Sequence, residues 1–255
     1  MFFDSHAHYD DPRFSADREA LITSLPTKGV RGFINAGSDL QSSKASVSMA
    51  EVFSYVWAAV GVHPHEVSEI NDETIKEIKN LCSREKVAAV GEIGLDFYYD
   101  NSPRDIQRYW FKRQLELAAE AELPVIVHAR EATAETLAIL RESGVRRGVI
   151  HSFSGSAETA FEYIDMGFYI GVGGVVTFDK SKKLPEALEK IPLEYLLLET
   201  DAPYQTPVPF RGKRNDSSYL RYIAEAVARI KKTTAETVAA VTYENTKRCF
   251  TCIAC

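Results

Sequence analysis

All six histidines of this chain stand where a short run of β-forming residues ends. The carboxyl ends of parallel strands meet at one mouth of a barrel, which is where barrel enzymes hold their sites. Histidines scattered through a core would not share this placement. The sequence therefore predicts one site that is rich in imidazoles, and its members are His6, His8, His63, His65, His128 and His151.

The first two histidines form an H-x-H pair within DSHAH at 4–8. Residues two apart on a strand project to the same face, so both imidazoles can bind one ion. Taken alone, such a pair arises by accident about as often as by function, but the other strand ends supply further ligands. His6 and His8 are thus candidate metal ligands.

Carboxylates interrupt two otherwise apolar strand ends. Glu92 stands within VGEIG at 90–94, and a carboxylate aimed into a core must be paired or metal-bound, or even bridge two cations. Asp201, in ETDAP at 199–203, can bind metal and take a proton from a bound water. Glu199 either orients that group or serves as a structural hydrogen-bond acceptor, and the residues leave both interpretations open.

The other histidines allow two kinds of chemistry. His128 and His151 close strongly apolar runs, where each could offer a neutral nitrogen to a second ion or be a core histidine satisfied by an acid. His63 and His65 flank Pro64. They suit hydrogen bonding to a substrate oxyanion better than metal ligation, although the sequence does not decide this.

Basic residues follow several of the same strand ends. Arg130 comes after the fifth run, and Arg211 and Arg214 belong to a turn, RGKR, after the eighth. The last loops of a barrel commonly receive phosphate, so this turn is a candidate anion site. The lysines at 180–183 are equally consistent with a solvated face.

The elements that must position these residues alternate along the chain. Amphipathic stretches at 107–121, 133–142 and 156–166 lie between β-rich runs, and two more follow at 219–231 and 235–250. This alternation predicts a (β/α)₈ TIM barrel, whereas a doubly wound sheet would be favoured by a glycine-rich dinucleotide motif that is missing. The predicted strands are 2–5, 30–35, 56–62, 87–92, 125–128, 148–152, 168–172 and 195–199.

Composition restricts the class of protein. A single domain, 1–255, is expected, with 45% hydrophobic residues and a net charge of −6 that argues against bulk adsorption to polyanions. No apolar run is long enough to cross a membrane, so we expect a cytoplasmic protein with reduced cysteines. Cys249, Cys252 and Cys255 could hold zinc only with a fourth ligand, and otherwise form the end of a frayed helix.

These motifs together resemble the TatD family of metal-dependent deoxyribonucleases, in the amidohydrolase superfamily. The resemblance covers essentially the whole chain, and it rests on eight ordered segments. They are DSHAHYDDPRF at 4–14, GVHPHE at 61–66, GEIGLDFYYD at 91–100, PVIVHAREA at 124–132, HSFSGS at 151–156, ETDAPYQTP at 199–207, RGKRN at 211–215 and NTKRCF at 245–250.

The resemblance implies a TIM barrel with one or two divalent ions, and phosphodiester hydrolysis at the mouth. One ion would lie among His6, His8, Glu92 and Asp201, and the other among Glu92, His128 and His151. Asp201, Glu92 and His63 would be catalytic, with Asp201 accepting a proton from water that the metal activates. The residues that would bind substrate are His63, His65, Arg130, Arg211 and Arg214.

Three functions are compatible with these residues. We expect a nuclease that works on ends of single-stranded DNA, because a narrow mouth admits a terminal nucleotide more readily than a duplex. A metal-dependent ester or amide hydrolase, acting on an aminoacyl ester or a small metabolite, is the alternative. A binding protein without catalysis is disfavoured by the complete ligand set. Magnesium, manganese and zinc all suit the ligands, and the sequence indicates neither a membrane nor an obligate protein partner.

Overall fold

The eight predicted strands form one parallel sheet that curls into a barrel. The computed structural model describes residues 1–254. Neighbouring strands pair in sequence order from β1 to β8, and a bridge between Ala7 and Ala202 brings the last strand back to the first. The strands are β1 Phe2–Ala7, β2 Val30–Ala36, β3 Val56–Val60, β4 Val87–Asp96, β5 Val125–Arg130, β6 Gly148–Ile150, β7 Phe168–Val172 and β8 Leu196–Leu198.

Helices cover the outside of the barrel and return the chain between strands. Local chemistry fixes the starts of α2, Leu40–Val52, and α3, Asp72–Cys82, because the Asp39 and Asn71 side chains cap them in reciprocal capping boxes. Gly144 ends α5, Thr133–Ser143, in the left-handed conformation. The described helices are α1 Arg18–Ser24, α2 Leu40–Val52, α3 Asp72–Cys82, α4 Arg104–Glu120, α5 Thr133–Ser143, α6 Ala157–Asp165, α7 Lys183–Lys190, α8 Leu220–Lys231 and α9 Ala235–Cys249.

Burial on both faces explains why the strands read as continuous apolar runs. Every residue of β4 is buried, and strand residues such as Ile126 and Leu197 pack with Phe250, which follows α9. Parallel strands covered on both faces have this composition. The (β/α)₈ barrel prediction is confirmed, and the doubly wound alternative is not observed.

Several strand ends differ from the prediction. β4 continues from the predicted end at Glu92 to Asp96, so Glu92 lies inside the strand. β3 stops at Val60, two residues early, because Gly61 and Val62 bond to the side chains of Ser43 and Gln114 instead of to a strand. No helix within residues 1–254 is long and apolar enough to cross a membrane.

Candidate metal centre

The histidines meet at the carboxyl end of the barrel, around the Glu92 carboxylate. This group forms part of the wall of a cavity of about 1000 Å³. The described residues contain three overlapping triads whose possible ligand atoms all lie within 4.8 Å of one another. Those triads are His6, Glu92 and His151; His6, His8 and Asp201; and His63, Glu92 and His128.

One set of donors has the spacing that a metal ion requires. The Nε2 atoms of His6 and His8 are 3.0 Å apart, and they lie 3.8 Å and 3.4 Å from Asp201 Oδ1. The same two nitrogens are 3.3 Å and 3.6 Å from Glu92 Oε2. Ligands about 2.1 Å from a tetrahedral ion are about 3.4 Å from each other. His6, His8 and Asp201 therefore have the spacing of ligands to one ion, and Glu92 Oε2 lies beside the two histidines.

The second oxygen of Glu92 faces another set of imidazoles. Glu92 Oε1 lies 2.8 Å from His128 Nδ1, 3.6 Å from His63 Nε2 and 3.8 Å from His151 Nε2. A carboxylate whose oxygens face separate donor sets can bridge two ions. His63, which the sequence favoured as a substrate contact, lies within reach of this second position.

Two imidazoles, those of His8 and His151, have an oxygen close to their Nδ1 atoms. His8 Nδ1 lies 2.8 Å from the Ala36 carbonyl and donates to it, which leaves Nε2 free to bind metal. His151 Nδ1 lies 3.1 Å from Glu199 Oε1, and the same oxygen accepts a hydrogen bond from the Ser152 backbone N–H. Glu199 thus faces His151 and also serves as a structural acceptor.

Asp96 is a member of the site that the sequence reasoning missed. Its Oδ2 lies 3.1 Å from His128 Nε2 and 2.9 Å from His65 Nε2, so it turns the Nδ1 of His128 toward Glu92. The signal was available in the spacing, because Glu92, Gly94 and Asp96 alternate on one face of a single strand. Because the predicted strand ended at Glu92, Asp96 was not expected to lie on the same face.

Gly94 makes the approach of β4 to β5 possible. It pairs with His128 in the sheet, its φ is +147°, and a Cβ there would lie 2.0 Å from the His128 carbonyl oxygen. Glycine alone adopts this backbone without strain. The glycine therefore permits the close backbone approach of β4 to β5 at His128.

The charges of the buried side chains in the site favour the binding of a cation. Burial alone would raise the pKa of Glu92, but the neighbouring imidazoles, led by His63 and His151, hold it well below its usual range. Burial opposes protonation of His151, yet the carboxylates of Glu199 and Glu92 raise its pKa to about 10. Burial lowers the pKa of His63 well below its ordinary value. A bound cation would take the place of the protons that these carboxylates attract.

Three of the five candidate substrate-binding residues line the cavity, and the other two do not. His63, His65 and Arg130 line the cavity, and the Arg130 guanidinium lies over the rings of Tyr98 and Tyr99 at 4.2 Å and 4.7 Å.

The turn after β8 lies outside the cavity wall. Arg211 stacks on Phe178, and Arg214 forms an ion pair with Asp17 at 2.6 Å. Neither arginine is among the described residues that line the cavity. A role of this turn in phosphate binding stays a prediction.

The cysteines of the carboxyl terminus do not extend the site. Cys249 is buried among core residues, and none of the candidate metal triads in residues 1–254 contains a cysteine. Cys255 lies outside the described residues.

Residues 3–251 match the profile of a family described as TatD related DNase. The chain belongs to this family. Among the TatD relatives, the metal-dependent hydrolase YabD of Bacillus subtilis is 42% identical over 98% of this chain and 99% of its own. The 3′-5′ ssDNA/RNA exonuclease TatD of Citrobacter koseri is 36% identical over 97% of this chain and 98% of its own.

A solved structure of a TatD homologue agrees. YjjV of Escherichia coli K12 superposes with a TM-score of 0.93 at 32% identity, and the alignment covers 98% of each chain. This TatD protein is therefore a metal-dependent hydrolase with a TIM barrel, and it contains a His, Glu and Asp cluster that could bind metal.

Proposed function

We propose that this TatD protein is a two-metal phosphodiesterase that removes nucleotides from the ends of single-stranded DNA. The observation that carries the proposal is the placement of Glu92, whose Oε2 faces His6 and His8 while Oε1 faces His128. Two ions held on one carboxylate suit phosphoryl transfer, because both the attacking and the leaving oxygen need a neighbouring positive charge.

The proposal assigns the site residues to two metal positions. His6, His8, Glu92 and Asp201 would hold one ion, and Glu92, His128 and His151 the other. The close triads differ in part from these sets, because they group His128 with Glu92 and His63, and His151 with Glu92 and His6. Divalent ions in such sites activate water and stabilise charge on the phosphoryl oxygens. Imidazoles suit zinc and carboxylates suit manganese or magnesium, so metal identity is left to the experiment.

The side chains of the site have distinct tasks. Asp201 Oδ2 accepts a hydrogen bond of 2.6 Å from Gln205, which fixes the carboxylate with Oδ1 toward the histidines. Burial raises the pKa of Asp201, but His8 and His151 bring it below its usual value. The ionised carboxylate can then accept a proton from water. His63, kept neutral by burial, can donate a hydrogen bond to a phosphoryl oxygen.

The surroundings of the site support a nucleic-acid substrate. The cavity is lined by Tyr99, Tyr204 and Arg130, and aromatic and guanidinium groups of this kind stack with bases of single strands. A relative that is 36% identical is named a 3′-5′ ssDNA/RNA exonuclease. We therefore expect removal to begin at the 3′ end.

The test is release of nucleotides from single-stranded DNA labelled at the 5′ or 3′ end. The protein is stripped of metal, and Mg²⁺, Mn²⁺ or Zn²⁺ is restored singly. We expect release with at least one metal, and its loss in Asp201→Ala. The matched control is Glu66→Gln, which alters an exposed acid of the same cavity outside the three triads.

Two outcomes would contradict the proposal. Metal that binds tightly without any release of nucleotides would indicate ester or amide hydrolysis instead. Equal loss of activity in Glu66→Gln and Asp201→Ala would show that the cavity's overall charge, and not the Asp201 carboxylate, supports the reaction.

A further inference from the structure

Two clusters of tyrosine and arginine stand at the mouth of the barrel, on opposite sides of the metal centre. The Tyr204 cluster consists of Arg13 and Tyr204, which follow β1 and β8. The Tyr99 cluster consists of Tyr98, Tyr99 and Arg130, at the ends of β4 and β5. The strands follow one another in sequence order around the barrel, and the last returns to the first. Strands β2 and β3 therefore separate the clusters on one side, and β6 and β7 on the other.

In the Tyr204 cluster, an acid holds a guanidinium against an exposed ring. The Arg13 guanidinium lies over the Tyr204 ring, 4.1 Å from its centroid. Asp11 accepts hydrogen bonds from Arg13 at 2.8 Å and from the Tyr204 hydroxyl at 3.2 Å, so one carboxylate fixes both partners. Tyr204 is nevertheless 46% exposed and lines the metal cavity. Its ring centroid is 6.3 Å from that of His8, a candidate ligand of the first ion.

The Tyr99 cluster is attached in a similar way to the proposed second ion position. Tyr98 and Tyr99 are each 54% exposed, although the Arg130 guanidinium lies over both rings. Their backbone N–H groups donate to one oxygen of Asp96, and the other oxygen is 3.1 Å from Nε2 of His128. The carboxylate beside a candidate metal ligand thus also fixes the position of this cluster.

Exposed aromatic side chains gathered around a cavity mark it as a binding site. Three of the six exposed aromatic residues in the described part of the chain belong to these clusters. Nucleobases stack on aromatic rings and on guanidinium planes, and every base has a π face. Seven carboxylate residues line the metal cavity, and Arg130 is the one Lys or Arg among its described lining residues. Besides bound metal, stacking is therefore the main attraction that the cavity offers to a strand.

We propose that the two clusters bind the bases on either side of the phosphodiester that is cleaved. One base stacks on the Tyr204 cluster, and its neighbour in the strand stacks on the Tyr99 cluster. The inference rests on the proposed nuclease function. It makes two consecutive unpaired bases, of any identity, the unit that the site recognises. In a duplex both bases would first have to unpair, so the same contacts favour single strands.

Removal of single bases tests the proposal with the unaltered protein. The probes are oligothymidylates of four nucleotides with phosphorothioate linkages, in which one nucleotide at a time lacks its base. Titration calorimetry measures their binding to the metal-loaded protein, and the probes are checked for intactness afterwards. Loss of either of two adjacent bases should weaken binding about tenfold, and loss of any other base by less than about twofold.

Two variants assign each base to a cluster. Tyr99→Ala should weaken binding of the complete probe about tenfold and abolish the effect of removing one of the two bases. Tyr204→Ala should do the same for the other base. Tyr99→Phe and Tyr204→Phe keep the rings and should bind the probe as the wild type does. Tyr109→Ala is the matched control, because Tyr109 is 51% exposed on α4 and does not line the metal cavity.

Metal affinity separates the loss of stacking from damage to the metal centre. Alanine keeps the backbone N–H that Tyr99 donates to Asp96, so both alanine variants should bind metal as the wild type does. Weaker metal binding in proportion to the weaker probe binding would overturn the proposal.

The base-removal series has further outcomes that would overturn the proposal. These are a series in which no two adjacent bases contribute, alanine variants that both lose the effect of the same base, or an equal loss of affinity in Tyr109→Ala. Thymidine monophosphate that binds as tightly as the complete probe would show a site for a single nucleotide instead. Cleavage of unmodified DNA is followed separately. Wild-type protein that never cleaves would refute the proposed function, whereas the base-removal series alone decides the two base sites.

Discussion

The substitution Asp96→Asn tests whether Asp96 orients the candidate metal ligand His128 without binding metal itself. Asp96 is fully buried and belongs to none of the three candidate metal triads. Its Oδ2 holds the Nε2 atoms of His128 and His65, while its Oδ1 accepts hydrogen bonds from the backbone N–H groups of Tyr98 and Tyr99 at 3.0 Å and 2.9 Å. The substitution changes one oxygen into a nitrogen at almost constant volume.

Neither orientation of the new amide reproduces these contacts. If its nitrogen faces His128, then His128 Nε2 must accept and Nδ1 must carry the proton, and Nδ1 is the atom 2.8 Å from Glu92. The lone pair needed by the second ion is then lost. If the nitrogen instead faces the N–H groups of Tyr98 and Tyr99, donors oppose donors.

Losing an outer carboxylate partner typically costs 10- to 100-fold in metal affinity or activity, which corresponds to about 1.4–2.7 kcal/mol. We expect that loss for the second ion only, since His6, His8 and Asp201 do not contact Asp96 among the bonds described. The first ion should retain its affinity within about threefold.

Isothermal titration of metal-stripped protein resolves the two equivalents, and a chelator competition checks the tighter one. Asp100→Asn is the matched control, because Asp100 follows four residues later and is paired with Arg104 on the surface. The reasoning is refuted if Asp96→Asn binds both ions as wild type does, or if Asp100→Asn loses as much affinity.

Three further substitutions test the same arrangement of candidate ligands and their supports. Glu92→Gln should reduce metal at both positions at least tenfold, seen as less than one ion per chain by elemental analysis, and full occupancy would exclude a bridge. Glu199→Gln should weaken metal binding about tenfold by releasing His151, with titration calorimetry as the check, and an unchanged constant would leave Glu199 a purely structural acceptor. Gly94→Ala forces a Cβ onto the carbonyl of His128 and should lower the free energy of unfolding by more than about 1 kcal/mol, measured by urea denaturation; wild-type stability would contradict the close contact.

Much of the barrel could be predicted because strand and helix signals alternate with little ambiguity. The runs around Val125 and Leu197 are apolar on both faces, and this is typical of parallel strands under helices. The placement of every histidine then follows from topology, since the ends of parallel strands share one side of a barrel. The topology alone therefore predicts that His6 lies near His151, and the centroids of their stacked rings are 3.7 Å apart.

The finer contacts could not be predicted for physical reasons. Periodicity does not show where a strand stops, and the extension of β4 past Glu92 depends on its pairing with β5. Charge patterns do not show which cation pairs with which acid. Arg214 follows a strand end as the prediction required, but Asp17, almost two hundred residues earlier in the chain, takes its guanidinium.

The charge of the metal cavity makes metal binding a condition for binding of the strand in the proposed reaction. A cavity with seven carboxylate residues would repel a polynucleotide, and it becomes attractive to phosphate only when cations occupy it. Variants of Glu92 that bind less metal should therefore also bind DNA more weakly. Titrations of DNA into metal-stripped and metal-loaded protein measure this, and equal affinity of the two preparations would contradict it.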